Sequence, residues 1–487
     1  MLNRVLSTRL CAYGLIVAFI ILKIPHLSYP FFWDESWPYA TAVHALYEAG
    51  PSLSPSAIAP ELSRGHPPLF IFLAASWMKV FGSSLTAIHS FPLCLSAIFA
   101  ICIYEITRRI FNPATGVLAL LLILFQPLFY VQASAVLPEV MLAFFGLLAL
   151  YFYATERLFS MALALICSFY TKETGLTIGL SLGLVSIFRL LVKDIDRRTF
   201  YKHLAAFVVP LIGIICFFII QKQQLGWYFF PFHVDLLSHT EVSRASKIKT
   251  GIKVLFLVDN RVYITISCMA LLLLCSWRQM TQKWASIIQE IKAAWRPPFS
   301  TTQLFILSFL IFLPVFIVFC AFNFFIHRYF IIAFVPLNML LAAIMVQASR
   351  RLSTVFPMLL LVIGIFHFWN QRQLNEVYDD QLGAYDGMYV EQMMIQYLEE
   401  HYAYDHPIAS DAYLLRTQIT DARTRYLRGS QTYSNVQMNI DEHTQLILFS
   451  GKEADTQYER VKQNPDFKLV RRWERGKAWA ELYERVP

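Results

Sequence analysis

The chain has 487 residues, of which 57% are hydrophobic and only 15% are charged, and its mean hydropathy is +0.49. A soluble domain of this length could not bury so much apolar surface, so the composition excludes an ordinary water-soluble enzyme and points to a polytopic membrane protein. The formal net charge of +8 is explained by basic loops between apolar runs, which removes the need to invoke a nucleic-acid partner.

Eleven apolar runs of about the length that crosses a bilayer follow one another along the chain. The first run lacks a clear small-residue cleavage site, so we expect it to remain as a span rather than to be removed as a signal peptide. All eight cysteines lie inside apolar runs, which argues against a disulfide framework or a zinc cluster. The predicted spans are residues 10–29, 88–107, 115–132, 138–155, 158–171, 174–191, 203–221, 255–276, 303–322, 329–348 and 352–369.

The basic residues between these spans predict the orientation, because cytoplasmic loops carry the excess of Lys and Arg. Residues 66–82 are apolar enough to cross, but a crossing there would move every later basic loop outside. We therefore predict a juxtamembrane or re-entrant helix on the outer side. The outer loop 222–254 is also basic, so either the rule is weaker there or its charges meet an anion. The residues assigned to the cytoplasmic side are Arg4, Arg9, Arg108, Arg109, Arg157, Arg189, Lys193, Arg197, Arg198, Lys202, Arg278, Lys283, Lys292, Arg296, Arg350 and Arg351.

The stretch FFWDESWPY at residues 31–39 lies in the first outer loop, residues 30–66, and places two adjacent acids among aromatic residues. One interpretation is that Asp34 and Glu35 merely cap the short amphipathic helix that follows and ends at Gly50. The other is that a carboxylate at the lipid surface acts as a general base or orients an acceptor. Adjacent side chains point in different directions, so we expect one acid to face the reaction and the other to brace the loop.

Further outer segments carry ionisable residues that interrupt the apolar pattern, and charges at membrane depth are costly and usually functional. Arg64 and His66 lie beside a pair of prolines. Either they cap a helix and extend their polar ends to the membrane surface, or they contact a phosphate. Glu139 begins a span, where a solitary carboxylate is typical of a helix cap. Lys172 lies between two apolar runs and is predicted to bind a phosphate, with Glu173 fixing it as an ion pair.

The segment NFFIHRYF brings His327, Arg328 and Tyr329 to the outer end of a span, where the arginine is either a boundary anchor or a ligand. None of these motifs is specific by itself. The inference of a functional site depends on the order of the motifs and on their shared location at the outer face. The sequence contains no Walker loop and no GxGxxG motif, so it offers no sign of a nucleotide site.

The composition changes after residue 374, where charges become dense and no spanning run remains. We predict a membrane domain over residues 1–374 and a small soluble α/β domain over residues 375–487, on the outer side. In this tail VEQMMIQYLEEHY predicts a helix, HPIASD and TQLILFS predict strands, and residues 455–463 predict a second helix. FKLVRRW and AWAELYERV predict a hairpin across ERGK. The tail either recognises an acceptor, acts as a lid, or simply caps the outer loops.

The ordered set of motifs resembles bacterial membrane glycosyltransferases of the C superfamily, in the group of protein O-mannosyltransferases and lipid A aminoarabinose transferases. The resemblance covers roughly residues 10–350. It is carried by WDES at 33–36, GHPPLF at 65–70 with VFG at 80–82, LPE at 137–139, TKETG at 171–175, and HRYF with the later Pro336.

The resemblance implies an enzyme that takes a sugar from a polyprenyl-phosphate carrier and passes it to a lipid, glycan or protein acceptor, typically with inversion. Asp34 corresponds to the family's key acid and Glu35 to the acid after it, while Lys172 and Arg328 correspond to contacts of the donor phosphate. No cofactor is required, since the energy lies in the carrier linkage; a divalent metal is left open. The implied location is the bacterial inner membrane with a periplasmic tail, and no nucleic acid is expected. Further predicted substrate contacts are Tyr39, Arg64, His66, Glu139 and Tyr329.

Because this chain departs from the family pattern, the resemblance does not identify the acceptor. Aminoarabinose enzymes usually show Arg-Tyr-Ala soon after the acids, whereas this chain keeps only Tyr39 and Ala40. They also tend to have Lys-Pro at the position where this chain has His66 and Pro67. Other functions compete with the enzyme. A transporter or flippase should place ionisable groups near mid-membrane, and a polysaccharide polymerase or ligase usually has a large outer loop between late spans. A non-catalytic assembly subunit would not need both acids.

Overall fold

The computed structural model describes residues 2–238, 242–259, 261–279, 295–323, 326–349, 362, 364, 377–451 and 456–486. The predicted span over residues 352–369 is described only at residues 362 and 364. The predicted domain boundary after residue 374 lies outside the described residues, as does Asp455 at the start of a predicted tail helix.

Up to residue 349 the described chain is built of helices joined by short turns. They are α1 (Leu2–Lys23), α2 (Thr41–Ala49), α3 (Pro60–Ser63), α4 (Leu69–Phe81), α5 (Leu85–Ile110), α6 (Pro113–Leu124), α7 (Pro127–Gln132), α8 (Glu139–Ala154), α9 (Leu158–Thr171), α10 (Leu176–Leu191), α11 (Arg197–Leu225), α12 (Pro231–Ser238), α13 (Arg244–Phe256), α14 (Arg261–Gln279), α15 (Thr301–Ala321) and α16 (Ile331–Ser349).

Six helical stretches among the described residues are long and apolar enough to cross a membrane, and five shorter apolar helices accompany them. A helical membrane protein is therefore confirmed, whereas the number of eleven spans stays a prediction. The single span predicted over residues 115–132 is wrong in one respect: α6 ends at Leu124, and Pro127 begins the separate helix α7. The six long stretches are Thr8–Ser28, Leu85–Ile110, Glu173–Leu191, Arg197–Leu225, Thr301–Ala321 and His327–Gln347.

Helix α4 occupies the stretch for which a juxtamembrane helix was predicted. It has 13 residues, which span about 20 Å at 1.5 Å per residue and fall short of the roughly 30 Å hydrocarbon core. Its buried face, which includes Phe70, Ala74 and Met78, packs with Val43 and Leu46 of α2 in one apolar cluster. The short length agrees with a helix that does not cross, and its side of the membrane stays a prediction.

The described tail combines strands with helices. Its elements are α17 (Ala384–His401), β1 (Ile408–Ala409), α18 (Tyr413–Thr420), β2 (Val436–Gln437), β3 (Leu446–Ser450), α19 (Thr456–Gln463), β4 (Phe467–Arg475) and β5 (Ala478–Arg485). The strands form one sheet in the order β2-β1-β3-β5-β4. Strand β1 pairs in parallel with β2 and β3, and β5 pairs antiparallel with β3 and β4. The predicted β4–β5 hairpin is confirmed, with Gly476 at φ +59° in its turn. Strand β2 and helix α18 were not predicted.

The tail packs directly on the first predicted outer loop. The Phe31 amide donates to the Thr424 carbonyl at 3.3 Å, and the Trp37 and Tyr413 rings lie 5.4 Å apart edge to face. The Arg425 guanidinium also donates to the Ser83 carbonyl, just after α4, at 2.8 Å. The first loop therefore lies between the helices and the tail.

Candidate functional site

The two adjacent acids of the first loop point to different places. A short 3-10 turn over Trp33–Glu35 follows the first span, and it turns Asp34 into a large cavity while Glu35 faces inward. The Glu35 carboxylate accepts a hydrogen bond from the Val136 amide at 2.7 Å and lies 2.9 Å from His89 Nε2. Glu35, a candidate catalytic acid beside Asp34, is therefore the one of the two acids that takes the bracing role that the sequence led us to expect for one of them. It is 3% exposed, does not line the large cavity, and braces the loop.

The cavity has a volume of about 1120 Å³ and opens beside Asp34. Its wall comes from four of the outer segments predicted from the sequence, together with parts of α11 and α15 and the start of the tail, whereas the predicted outer segment that contains Glu139 does not line it. The convergence inferred from sequence is thus seen in the fold. The lining residues fall within 33–39, 64–67, 172–176, 217–218, 228–234, 319–323, 326–329 and 378–380.

Arg328 lies at the centre of an ion-pair cluster in the wall of this cavity. It is 1% exposed, and its two terminal nitrogens pair with Asp34 and Asp379. Its Nε lies 3.4 Å from Glu139, whose carboxylate also accepts from Lys172 Nζ at 2.9 Å. Three carboxylates therefore share two cations, and such buried charges are stable only because they are paired.

The charges around Asp34 decide its protonation state. Burial alone would raise the pKa of Asp34, but the charge and hydrogen bond of Arg328, with smaller contributions from Arg64 and Lys172, hold that pKa below its ordinary value. Burial would likewise lower the pKa of Lys172, yet Glu139 beside it raises that pKa above the ordinary lysine value. At neutral pH the cavity thus presents an ionised Asp34 next to a charged Lys172.

Lys172 does not pair with Glu173 as predicted. Lys172 has extended backbone angles, φ −162° and ψ 141°, immediately before the 3-10 turn that begins at Glu173, so the two side chains diverge. Glu173 instead accepts from His66 Nδ1 at 2.8 Å, and the His66 ring lies 5.4 Å from that of His233. Burial, with His66 nearby, lowers the pKa of His233 to about 4, so this ring is neutral at pH 7. The Lys172 ammonium lies 3.6 Å from the Tyr329 ring centre.

Arg64 reaches the cavity from the turn after α3. Its guanidinium lies 4.7 Å from the Trp37 ring centre, and among the described residues no carboxylate lies within ion-pair distance of it. The next residue, Gly65, has φ +74°, and a Cβ there would lie 2.9 Å from the Trp227 ring. Glycine is therefore required for the loop before α12 to approach this turn. Arg64 keeps its donors available to a ligand in the cavity.

Much of the cavity wall is apolar. Aromatic side chains from α11, from the segment before α12 and from α12 itself contribute to it, and Phe319 of α15 adds to it. An amphiphile with one anionic end and a long hydrocarbon end matches a cavity lined by both charged and apolar side chains. The aromatic residues are Phe217, Phe218, Tyr228, Phe229, Phe230 and Phe232.

Seven of the nine predicted site residues line the cavity, while Glu35 and Glu139 lie behind its wall. Sequence reasoning missed His233, Asp379 and Asp380, although the Asp379–Asp380 pair follows the last span on the predicted outer face. Within the described part of the chain, no group of three or more His, Cys, Asp or Glu side chains is arranged to hold a metal ion. The seven lining residues are Asp34, Tyr39, Arg64, His66, Lys172, Arg328 and Tyr329.

Comparison with known proteins confirms the resemblance to membrane glycosyltransferases. Residues 65–221 match the family described as dolichyl-phosphate-mannose-protein mannosyltransferase. No curated protein matches the chain by sequence.

Solved structures share the fold at low sequence identity. Apo ArnT from Cupriavidus metallidurans is 13% identical with a TM-score of 0.56, over 97% of this chain and 98% of that one. ArnT bound to undecaprenyl phosphate gives the same TM-score and identity, over 97% of each chain. The Archaeoglobus fulgidus oligosaccharyltransferase in complex with Zn and sulfate is 12% identical with a TM-score of 0.51, over 91% of this chain and 67% of that one.

Proposed function

We propose that the chain is an integral membrane glycosyltransferase that moves a sugar from a polyprenyl-phosphate carrier to an acceptor hydroxyl group of a lipid, glycan or protein. The single observation that carries this proposal is the large cavity that Asp34, Lys172 and Arg64 line together with a group of aromatic side chains. The proposed location is the outer face of a bacterial inner membrane. The family match and the ArnT structure bound to undecaprenyl phosphate support a lipid-phosphate donor.

The two cations with free donors are the proposed ligands of the carrier phosphate. Lys172 uses one hydrogen bond on Glu139, and an ammonium group has three donors. Arg64 offers a guanidinium that suits bidentate phosphate binding. Arg328 was also predicted to bind this phosphate, but each of its three nitrogens already faces a carboxylate. We therefore propose that Arg328 organises the acids instead.

Transfer needs one bond to form and one to break at the anomeric carbon. In the proposed step the acceptor oxygen attacks that carbon from the face opposite the phosphate, which inverts the centre. The bond between carbon and phosphate oxygen breaks, and its electron pair leaves with the polyprenyl phosphate. The acceptor's proton passes to Asp34, which is ionised and faces the cavity. Lys172 and Arg64 stabilise the charge that develops on the leaving phosphate.

The proposal is tested by comparing two lipids with the same tail. Purified protein in nanodiscs is titrated with undecaprenyl phosphate and with undecaprenol, and bound lipid is counted by native mass spectrometry. We expect undecaprenyl phosphate to bind at least roughly tenfold more tightly, because charge-assisted hydrogen bonds to a phosphate exceed neutral ones. Arg64→Ala should reduce this preference, whereas Lys249→Ala, on the exposed face of α13, should not. Equal binding of both lipids would contradict a phosphate site.

A further inference from the structure

Two consecutive acids at the start of the tail form ion pairs with two consecutive basic residues before α16. Asp379 pairs with Arg328, and Asp380 Oδ2 lies 3.0 Å from His327 Nδ1. Both acids line the cavity, and both are nearly buried. The first residues of the described tail are thus part of the cavity wall and not a cover above it.

Two buried side chains donate hydrogen bonds to the segment that begins at these acids. The Asp379 carbonyl accepts from Gln132 Nε2 at 2.6 Å, and the Tyr385 hydroxyl accepts from Lys23 Nζ, also at 2.6 Å. Gln132 and Lys23 are each 1% exposed or less. Buried side chains therefore contact both ends of residues 379–385, close to the point where the Asp379 carboxylate meets Arg328.

We propose that Asp379 is a positioning residue: by sharing the Arg328 guanidinium with Asp34, it keeps the Asp34 carboxylate oriented toward the cavity and able to accept a proton. This inference rests on the proposed function, since it concerns the acid that acts there as the base. It also gives the tail a role in the reaction, because the tail supplies a residue that completes the acid cluster.

The physical reason is a balance of charge. A carboxylate paired with an uncompensated guanidinium is a poor base, because the positive charge stabilises its ionised form. The second carboxylate on the same guanidinium offsets part of that charge. The charged groups that act on Asp34 are Arg328 before α16, Arg64 after α3 and Lys172 before α10, while Glu139 and Asp379 share Arg328 with it.

Asp380 provides a control that distinguishes this positioning role from simple docking of the tail. It lies next to Asp379, lines the same cavity and makes an ion pair of similar type, but its partner is His327 and not Arg328. If the acids only fasten the tail, neutralising either one should have the same consequences. If Asp379 acts on Asp34, only its neutralisation should change how Asp34 titrates.

The test follows the Asp34 carboxyl directly and needs no acceptor. Infrared difference spectra of the full-length protein in nanodiscs are recorded across an acidic pH titration, and the Asp34 band is assigned by its loss in Asp34→Asn. We expect Asp34 to titrate roughly one pH unit lower in Asp379→Asn than in the wild type, because a like charge nearby is removed. Asp380→Asn should titrate as the wild type, and Asp379→Glu, which keeps the charge, should stay close to it.

Each result decides the question. An unchanged or upward shift in Asp379→Asn, or an equal shift in Asp380→Asn, would overturn the proposal. Asp379→Ser is a second neutral variant if Asp379→Asn does not fold. If neither neutral variant folds while Asp379→Glu does, the acid serves folding and the proposal is wrong. The titration does not depend on sugar transfer. If the proposed function is wrong, the carrier-binding and turnover experiments will show it, because the protein will then neither bind the carrier nor turn it over.

Discussion

Arg328 forms a partly buried ion pair with Asp34, although the two residues are 294 positions apart in the chain. The pair connects the first predicted outer loop to the start of the last long helical stretch, and both residues line the cavity. Because Arg328 also meets Glu139 and Asp379, one guanidinium orders acids from three parts of the chain. The acid that we propose as the base is therefore held by the fold and not by its own loop alone.

Lys172 and Glu139 should behave as a coupled buried pair. Lys172→Met leaves the Glu139 carboxylate without its nearest cation, and breaking such a pair costs about 3 kcal/mol of stability. We expect Lys172→Met to lower the thermal unfolding midpoint and weaken undecaprenyl phosphate binding. The double variant Lys172→Met/Glu139→Gln should recover much of the midpoint but not the binding. Recovery of both would show that Lys172 does not contact the phosphate.

Glu35 should matter for stability more than for chemistry. Glu35→Ala removes the acceptor of the Val136 amide and the partner of His89, and orphaning these buried groups costs about 2–4 kcal/mol. We expect a lower unfolding midpoint for Glu35→Ala. Turnover per folded molecule should remain far above that of Asp34→Asn. If both variants lost turnover equally while staying folded, Glu35 would have a direct role after all.

The acid limb of the pH–rate profile should report Asp34. Since its pKa is held below the ordinary value of about 3.9, the base stays ionised, and the rate should not fall between pH 7 and about pH 5. Arg64→Ala removes a positive neighbour and so raises the Asp34 pKa, which should move the limb to higher pH. Initial rates with a fixed carrier substrate measure this. A wild-type rate that already fell between pH 7 and 6 would point to another base.

The orientation can be tested with single cysteines in a background where the eight native ones are replaced. Val80, 74% exposed at the end of α4, lies next to the tail's contact at Ser83. We expect Val80→Cys to react with a membrane-impermeant maleimide added to spheroplasts. Arg157→Cys, in a loop assigned to the cytoplasm, should react only after permeabilisation. The reverse pattern would overturn the predicted topology.

The sequence could predict which segments meet, because charge sidedness depends only on the order of spans and loops. Asp34, Lys172 and Arg328 come from separate segments and line one cavity, as that pattern implied. The sequence could also predict that the adjacent acids of the first loop serve different roles. It could not tell which one faces the cavity, because the 3-10 turn that orients Asp34 and Glu35 depends on contacts with α5 and the turn before α8.

Pairing partners were harder to predict than positions. Glu173 is the neighbour of Lys172 in sequence, yet helix packing brings Glu139 to the lysine across 33 positions and leaves Glu173 to His66. Asp379 was missed for a similar reason. Its contact with Arg328 depends on how the tail docks, and no local pattern encodes that arrangement.

Turnover of a carrier-linked sugar tests the central claim most directly. Purified protein in lipid is incubated with a panel of radiolabelled polyprenyl-phosphate sugars and with membrane extract as the source of acceptor. The variants are Asp34→Asn and, as a matched control, Asp405→Asn, whose carboxylate is exposed on the tail. We predict that the wild type and Asp405→Asn release label from one carrier and that folded Asp34→Asn does not. Release at the wild-type rate by Asp34→Asn, or no release from any carrier by the wild type, would contradict the account.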